Sequence, residues 1–387
     1  MGGASILFAT IATGGGHLAT ANAIAEAVDQ HYAGSFDLRV SDLMHEPGMF
    51  KGDRQHKRFW RWALAHPQLV RSGQRILDAT PTFTRQTQRI MLHRFARLAA
   101  QELGGEAPSL IVANHGWLAV GLTLAQRRFG LAVRVLSFGT EPLDANALWA
   151  EPRAERFIVP SESARNDLVR LGVGRERVDV VGYPVRRAFL EVPGQAEARR
   201  ALGFPDSFTC LVSLGGEGVG TVQKALLTSL LDRGVSVVVM AGRNQTLHER
   251  LQPLAQHFEH LRVEGFTDEM ATFVAASDVV IGKAGPASVF EALAVGRPFL
   301  ATGYAGLNEG KAVAFLKRHK LGGHFPSPAD LLATVLRYRE CPKELKRVRE
   351  RAGALELGRM TRDLARYVVH YARFGERDLQ WVGRGLS

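Results

Sequence analysis

The chain of 387 residues has only two cysteines and is short of acidic residues, with 38 Asp and Glu against 49 Lys and Arg and a net charge of +11. Cys210 and Cys341 lie far apart and form no CxxC pair, which argues against a disulfide framework and predicts reduced thiols in a cytoplasmic protein. No apolar run approaches the roughly 18–20 residues needed to cross a bilayer. A predicted strand begins already at Ser5, so we expect no secretory signal.

Two common binding patterns are also missing. The glycine turn "TGGGH" (13–17) lacks the GxGxxG spacing of the dinucleotide fingerprint, and no suitably placed acidic residue ends the predicted second strand. No DxD-like acidic pair stands in a suitable loop. We therefore expect neither a nicotinamide cofactor nor a resident metal ion.

What the chain does have is a strongly basic segment. Residues 51–97 contain eleven Lys and Arg but only two Asp, a net charge of +9, and these cations alternate with aromatic and aliphatic side chains. This composition suits an anionic membrane surface, where rings enter the headgroup layer and cations meet lipid phosphates. The predicted membrane contacts are Phe59, Trp60, Arg61 and Trp62. Nucleic acid binding and a merely solvated pair of basic helices are the alternatives.

Short apolar runs of β type recur along the chain with helical patterns between them. The first series is 6–9, 38–40, 110–113, 133–138, 157–160 and 178–181. After the loop "LEVPGQ" (190–195) a second series follows at 208–214, 235–240, 261–264, 279–281 and 298–301. Strands that alternate with helices form parallel sheets. The sequence therefore predicts two doubly wound α/β domains in succession.

Each predicted domain carries a glycine-rich turn between its first strand and the next helix. These turns are "TGGGH" (13–17) and "LGGEGVG" (214–220), and the backbone N–H groups of such turns suit anions. His17 falls at a predicted helix start, where the helix dipole disfavours the imidazolium and leaves the ring available as a base. A structural cap or a satisfied core histidine is the alternative at this point.

A second turn into a helix is predicted at Gly285, Pro286, Ala287 and Ser288. Its backbone N–H groups and the Ser288 hydroxyl, near the predicted N-cap, suit a diphosphate. Glu291 then acts either in a capping box or on ribose hydroxyls.

Several stretches in a fixed order resemble the monogalactosyldiacylglycerol synthase and processive diacylglycerol glucosyltransferase family. These enzymes are GT-B glycosyltransferases related to the peptidoglycan-precursor N-acetylglucosaminyltransferase. The similar stretches are "GGGHLATANAI" (14–24), "DATPTFTR" (78–85), "ANHGW" (113–117), 156–189, "SLGGEGVG" (213–220), "VMAGRNQTLHERL" (239–251), "GFTDEM" (265–270) and 278–298. No single stretch is decisive, but their order and spacing together are specific.

The resemblance implies a fold and a domain plan. Two Rossmann-like, doubly wound parallel-sheet domains would face each other across a cleft. Residues 1–187 would bind the acceptor and the membrane, 188–355 would bind the nucleotide sugar, and the helical tail 356–387 would pack back on the first domain.

The resemblance also implies site residues. His17 would be the catalytic base. The donor-binding residues would be Arg186, Gly215, Gly216, Gly218, Arg243, Phe266, Gly285, Pro286, Ala287, Ser288, Glu291, Asn308 and Glu309. The acceptor site would comprise Gly15, Gly16, Glu141, Asn146 and Trp149.

The implied function is inverting, metal-independent transfer of a hexose from a UDP-sugar to diacylglycerol or a similar lipid. The protein would need no cofactor, would not bind nucleic acid, and would sit on the cytoplasmic face of the cell membrane. Asn146 replaces a histidine and Asn308 a glutamine of the family pattern. Two alternatives therefore stay open: transfer to a polyprenyl-linked cell-wall precursor, and a non-catalytic relative that binds nucleotide sugar and membrane.

Overall fold

The computed structural model describes residues 4–11, 15–46, 67–106, 108–213, 215, 224–304, 307–377, 381 and 385–386. The chain divides into two compact units. The first comprises Met1–Arg187, Ala305–Asn308 and Leu357–Ser387, and the second comprises Ala188–Tyr304 and Glu309–Glu356.

Twelve strands are found among the described residues. They are β1 Ser5–Thr10, β2 Asp37–Asp42, β3 Leu110–Ala113, β4 Arg134–Phe138, β5 Arg156–Val159, β6 Val178–Val180, β7 Thr209–Ser213, β8 Ser236–Met240, β9 Leu261–Glu264, β10 Val279–Lys283, β11 Phe299–Gly303 and β12 Gly322–His324. Eleven of them overlap the predicted apolar runs, which confirms the predicted α/β class. The twelfth, β12, was not predicted.

Helices connect most of these strands. They are α1 Gly15–His31, α2 Pro67–Ala79, α3 Pro81–Met91, α4 His93–Glu106, α5 Gly116–Phe129, α6 Glu162–Arg170, α7 Arg187–Leu190, α8 Gln195–Leu202, α9 Lys224–Leu231, α10 Gln245–His257, α11 Met270–Ala276, α12 Pro286–Ala294, α13 Leu307–Arg318, α14 Pro328–Glu340, α15 Pro342–Gly353 and α16 Leu357–Phe374.

The first unit contains a six-stranded parallel sheet in the order β2-β1-β3-β4-β5-β6. Its central strand β3 has the sequence LIVA and is buried along its whole length. Such a continuous apolar run is expected where helices cover both faces of a parallel sheet. One face packs on α4 and α5, and the other on α1 and α16. The strand order reverses between β1 and β3, so the chain leaves the carboxyl ends of these two paired strands in opposite directions, which is where a crevice forms in such sheets.

The second unit repeats this plan in the order β12-β11-β10-β7-β8-β9, again all parallel. Strands β7 and β8 are buried throughout. The strand order reverses between β7 and β10. At that point a Cβ on Gly282 would lie 2.3 Å from the Ser213 carbonyl oxygen, so only glycine allows the two strands to approach this closely.

The C-terminal helix α16 belongs to the first unit. Leu364, Ala365 and Val368 are buried in the same apolar cluster as Ala21 and Ile24 of α1. Tyr367 on the same helix donates a hydrogen bond from its hydroxyl to Asp179 at 2.5 Å. Among the described residues, no helix is both long and apolar enough to cross a membrane.

Candidate functional site

Several chemically active side chains lie close together where the strand order of the first sheet reverses, at the carboxyl ends of β1 and β3. This place is called the reversal point below. His17 is the third residue of α1, which follows β1, while Asn114 and His115 directly follow β3. Thr140 comes two residues after the end of β4. Because the carboxyl ends of parallel strands share one sheet edge, these residues meet where ligands bind in this fold class.

His17 is partly buried, and three side chains surround it. Its Nδ1 lies 2.8 Å from the Thr140 hydroxyl oxygen. The His115 ring stands edge-on to it at 4.7 Å between centroids, and the Trp149 ring lies at 6.4 Å. Trp149 is also 6.1 Å from His115, so the three rings form one cluster. The structure thus brings predicted His17 and Trp149 together.

The environment of His17 keeps its imidazole neutral. Burial lowers the pKa of His17 from its ordinary value of 6.5 to about 4, although a hydrogen bond with the backbone of Asn114 acts in the opposite direction. The partner of Nδ1 is a hydroxyl rather than a carboxylate, so that partner contributes no negative charge to favour the imidazolium. At neutral pH the imidazole is therefore uncharged, and its unprotonated ring nitrogen can accept a proton.

His115 has a structural role as well. Its Nδ1 accepts a hydrogen bond from the Trp117 backbone N–H at 3.1 Å and thereby caps α5. A backbone N–H can only donate, so the neutral His115 ring carries its proton on Nε2.

The loop that carries Trp149 is held by contacts from α2 and α3. The backbone N–H of Ala147 donates to Asp78 at 2.7 Å, and the Gln88 side chain donates to the Leu148 carbonyl at 3.1 Å. Gly116 lies against the same loop, since a Cβ there would come within 2.5 Å of the Leu148 carbonyl oxygen. Contacts from three helices thus fix the position of the Trp149 ring.

The other predicted acceptor-site residues take different positions. The Asn146 side-chain oxygen accepts a hydrogen bond from the Leu148 N–H at 3.0 Å and so stabilises the turn that contains both residues. Glu141 is half-buried and follows Thr140 directly in the same loop. Gly15 and Gly16 are exposed at the start of α1, and among the described residues a Cβ on either would meet no atom within 4 Å.

A buried ion pair braces the end of this loop. The Glu151 carboxylate is fully buried and accepts hydrogen bonds from Arg89 on α3 at 2.7 and 3.0 Å. Arg153 donates to the same carboxylate at 3.2 Å. Burial alone would raise the pKa of Glu151, but the bonds from Arg89 and Arg153 outweigh burial and lower it. Glu151 is therefore ionised and ties the loop to α3.

In the second unit, the reversal point lies between β7 and β10 and includes the predicted diphosphate turn. Gly215 follows β7 with a φ of +74°, a left-handed conformation that favours glycine. Gly216 and Gly218 lie outside the described residues. After β10, the chain passes through Gly285 into α12.

The structure corrects the local prediction for this turn. Helix α12 has Gly285 as its N-cap and begins at Pro286, so Ser288 is the third helical residue and not a cap. Because glycine has no side chain, the capping-box alternative for Glu291 is wrong. Pro286, Ala287 and Ser288 form the first turn, where proline at the first position costs no hydrogen bond and the N–H groups that follow suit an anion.

Two pairs of side chains in the second unit involve predicted donor residues. The Arg243 guanidinium lies 4.0 Å from the centroid of the half-exposed Phe266 ring. Lys283, the last residue of β10, forms a 2.8 Å ion pair with the buried carboxylate of Glu309. Glu309 lies in the first turn of α13.

The remaining predicted site residues are located as follows. Arg186 lies in the first unit and is partly buried. Glu291 is partly buried on α12, and Asn308 lies on α13. The predicted membrane contacts Phe59, Trp60, Arg61 and Trp62 lie outside the described residues. Within the described ranges, no group of three or more His, Cys, Asp and Glu side chains could hold a metal ion.

Thr140, His115 and Asn114 received no role at the sequence level. The stretch "ANHGW" (113–117) was noted only for its family resemblance. Of the neighbours Thr140 and Glu141, only Glu141 was predicted to lie in the acceptor site. Their signal was positional, because each follows a predicted buried strand and so lies at the ligand-binding edge of a parallel sheet.

The sequence is similar to proteins of known activity. Residues 219–306 match the glycosyltransferase family 28 C-terminal domain. The chain is 27% identical to monogalactosyldiacylglycerol synthase 1 of Arabidopsis thaliana, across 84% of this chain and 62% of that protein. It is 26% identical to the monogalactosyldiacylglycerol synthase of Spinacia oleracea, across 84% of this chain and 64% of that protein. The predicted family resemblance is confirmed, and the chain spans about three fifths of the length of these plant relatives.

Solved structures share the fold. HepE from Anabaena, solved with UDP and glucose, superposes with a TM-score of 0.56 at 14% identity and covers 96% of this chain and 100% of its own. The UDP-GlcNAc 2-epimerase from Neisseria meningitidis, solved with UDP-GlcNAc, superposes with a TM-score of 0.59 at 13% sequence identity. The match covers 94% of this chain and 98% of that one. The two sheets thus have the GT-B fold.

Proposed function

We propose that this chain, which carries a family 28 C-terminal domain, is a glycosyltransferase that moves a hexose from a UDP-sugar to the hydroxyl of a diacylglycerol-type lipid. The observation that carries the proposal is the homology to monogalactosyldiacylglycerol synthases along 84% of the chain. The domain match at 219–306 and the GT-B fold support the same assignment.

The first unit supports the acceptor half of this reaction. Attack by a lipid hydroxyl needs a base that is unprotonated at neutral pH. His17 meets this requirement because burial lowers the pKa of its imidazole to about 4. The exposed Gly15 and Gly16 beside it leave room for a substrate to approach.

The second unit supports the donor half. The N–H groups at the start of α12 suit the diphosphate. The exposed face of Phe266, with Arg243 against it, suits the uracil ring. Glu309, held by Lys283, is proposed to accept hydrogen bonds from hexose hydroxyls.

The proposed chemistry is a single displacement with inversion at the anomeric carbon. The acceptor hydroxyl gives its proton to His17, and its oxygen forms the new bond to the anomeric carbon. The bond from that carbon to the β-phosphate oxygen breaks, and UDP leaves with the electron pair. Stabilisation of the leaving diphosphate is assigned to the N–H groups at the α12 N-terminus, without a resident metal ion.

We also propose that the protein binds peripherally to an anionic membrane on the cytoplasmic side. Support comes from helices α2 and α3, which expose four large apolar side chains spaced seven residues apart in the sequence: Leu69, Ile76, Phe83 and Ile90. Exposed arginines lie nearby in sequence at Arg75, Arg94 and Arg97. Apolar side chains among cations are typical of surfaces that enter lipid headgroups.

The double substitution Phe83→Ser with Ile90→Ser tests this membrane surface. Partial burial of each side chain in lipid is worth roughly 1 kcal/mol, so we expect binding to vesicles rich in phosphatidylglycerol to fall about tenfold or more. Vesicle sedimentation measures the change. Phe374→Ser, which removes an exposed phenylalanine from the end of α16, is the matched control. Equal loss in both variants, or no loss in either, would contradict the assignment.

The catalytic proposal is tested by UDP release. We expect release from a UDP-hexose to rise at least tenfold when the vesicles contain diacylglycerol, because the acceptor hydroxyl is then available for attack. A coupled assay follows UDP over a panel of UDP-sugars. UDP that binds in calorimetry, with no release from any donor and lipid, would instead favour a non-catalytic protein.

A further inference from the structure

We propose that the second unit carries a basic surface of its own that binds anionic lipid headgroups. This surface is formed by the end of α13, the turn that follows it, and the exposed side of α15, and it is called the α15 surface. Its cations are Lys317, Arg318, Lys320, Lys343, Lys346 and Arg347. The inference adds to the membrane surface on α2 and α3 and rests on the proposed function for the presence of a membrane.

Helix α15 has one side in the core and the opposite side in solvent. Val348 and Ala352, which lie four residues apart, are buried. Lys343, Lys346 and Arg347 are exposed, and their spacing of three and four residues places them together on the side away from the core. The helix therefore presents a row of cations to solvent.

The end of α13 adds three more cations to this region. Arg351, in the last turn of α15, donates from its guanidinium to the backbone carbonyl of Lys320 at 3.4 Å. Lys317, Arg318 and Lys320 are all exposed. The contact made by Arg351 therefore brings a second basic run to the C-terminal end of α15.

Acidic side chains offset little of this charge. Residues 337–351 contain seven Lys and Arg against three Glu. Glu344 lies 3.3 Å from Arg337. Glu340 lies 4.0 Å from Arg339, so both of these carboxylates pair with arginines outside the α15 surface. In the described ranges, the six cations of the α15 surface form no ion pair, and the surface keeps a net positive charge.

The partner that fits this surface is an anionic bilayer. Each Lys or Arg close to an anionic leaflet strengthens binding roughly fivefold. Among the described residues, α13 to α15 expose no large apolar or aromatic side chain, so this contact depends on charge and not on insertion into lipid. Single-stranded nucleic acid is usually held by aromatic side chains that stack on bases, and the same lack of exposed rings disfavours it here.

The test reverses two charges in Lys346→Glu with Arg347→Glu. We expect binding to phosphatidylglycerol vesicles at about 50 mM salt to fall roughly thirtyfold or more, because two attractive charges become repulsive. At about 500 mM salt the difference from the wild type should largely disappear, because salt screens exposed charges. Vesicle sedimentation measures both. Lys346→Gln with Arg347→Gln removes the charges without adding acids and should show a smaller loss in the same direction.

The matched control is Arg200→Glu with Arg250→Glu. These arginines are exposed on α8 and α10 of the same unit, so the net charge of the protein changes by the same amount. We expect this control to bind vesicles within about threefold of the wild type at low salt. Equal losses in the two variants would mean that net charge and not the α15 surface governs binding, and would overturn the inference.

The outcomes separate this inference from the proposed function, because sedimentation needs no turnover. If the wild type makes no product, the proposed function fails, while vesicle binding still decides whether the α15 surface meets lipid. A short DNA duplex, used as a second probe, gives a further outcome. Loss of duplex binding in Lys346→Glu with Arg347→Glu, with vesicle binding unchanged, would assign the surface to nucleic acid and overturn the inference.

Discussion

Replacing His17 by alanine is expected to lower turnover by roughly 10²–10⁴-fold, the range that general-base catalysis contributes. The reason is that the site supplies a neutral imidazole at the reversal point of the first sheet, and alanine cannot accept the proton of the acceptor hydroxyl. The measurement is kcat for glycolipid formation on vesicles, with KM for the UDP-sugar determined in the same experiment. KM should change little, because the proposed donor contacts lie largely in the second unit.

His31→Ala is the matched control for this loss. His31 is exposed at the last turn of the same helix, so its removal tests whether any histidine change in α1 has the same effect. We expect it to retain activity within about twofold and to unfold at the same temperature. A His17→Ala protein that is folded and fully active would exclude His17 as the base.

The pH dependence of kcat/KM follows from the same site. Because the pKa of His17 is about 4, the ring is unprotonated throughout the neutral range and becomes protonated only in acid. The acid limb due to His17 is therefore expected near pH 4, with a tenfold loss per pH unit below it. An acid limb near pH 6.5, the ordinary value for histidine, would show that burial does not depress this pKa.

The second large effect concerns stability. Within the part of the chain that the structure describes, Arg89→Met leaves the fully buried Glu151 carboxylate with Arg153 as its remaining cationic partner. Because the cost of an incompletely paired buried charge is high, we expect the free energy of unfolding to fall by about 3 kcal/mol at pH 7. Urea unfolding followed by circular dichroism measures the change. The same variant should weaken activity, since Glu151 braces the loop that carries Trp149.

A double-mutant cycle separates the ion pair from simple loss of packing. Combining Arg89→Met with Glu151→Leu removes both charges, so we expect the double variant to be more stable than Arg89→Met alone. Arg337→Met is the matched control, because it breaks an exposed ion pair with Glu344 at 3.3 Å and should cost less than about 1 kcal/mol. Equal losses for Arg89→Met and Arg337→Met would mean that the buried pair contributes no more than a surface pair.

The sheet strands were predictable because parallel strands buried on both faces need continuous apolar runs, as in LIVA at 110–113. Strand β12 was not predicted because it lacks such an apolar run. Its residues are Gly322, Gly323 and His324, and its place depends on the neighbouring β11. Gly322 has a φ of +144°, and a Cβ there would lie 1.9 Å from the Phe299 carbonyl oxygen, so the strand forms through close backbone contact alone.

The candidate site was predictable in part. The glycine turn and the helix start identified His17, and the structure places Trp149 near it. The contact with Thr140 could not be read from the sequence, because it joins residues 123 positions apart through the packing of the first unit. The start of α12 was misplaced for a local reason: Gly285 takes the cap position, whereas serine is the residue type that usually favours it.

The most direct test of the proposed transfer is identification of the product. Vesicles of phosphatidylglycerol and diacylglycerol are incubated with the protein and each of a panel of UDP-sugars, and the extracted lipid is analysed by mass spectrometry. The proposed function predicts diacylglycerol carrying one or more hexose units from at least one donor, formed at a rate at least about a hundredfold lower in His17→Ala. Free sugar, an epimerised UDP-sugar, or an unmodified lipid with every donor would contradict it.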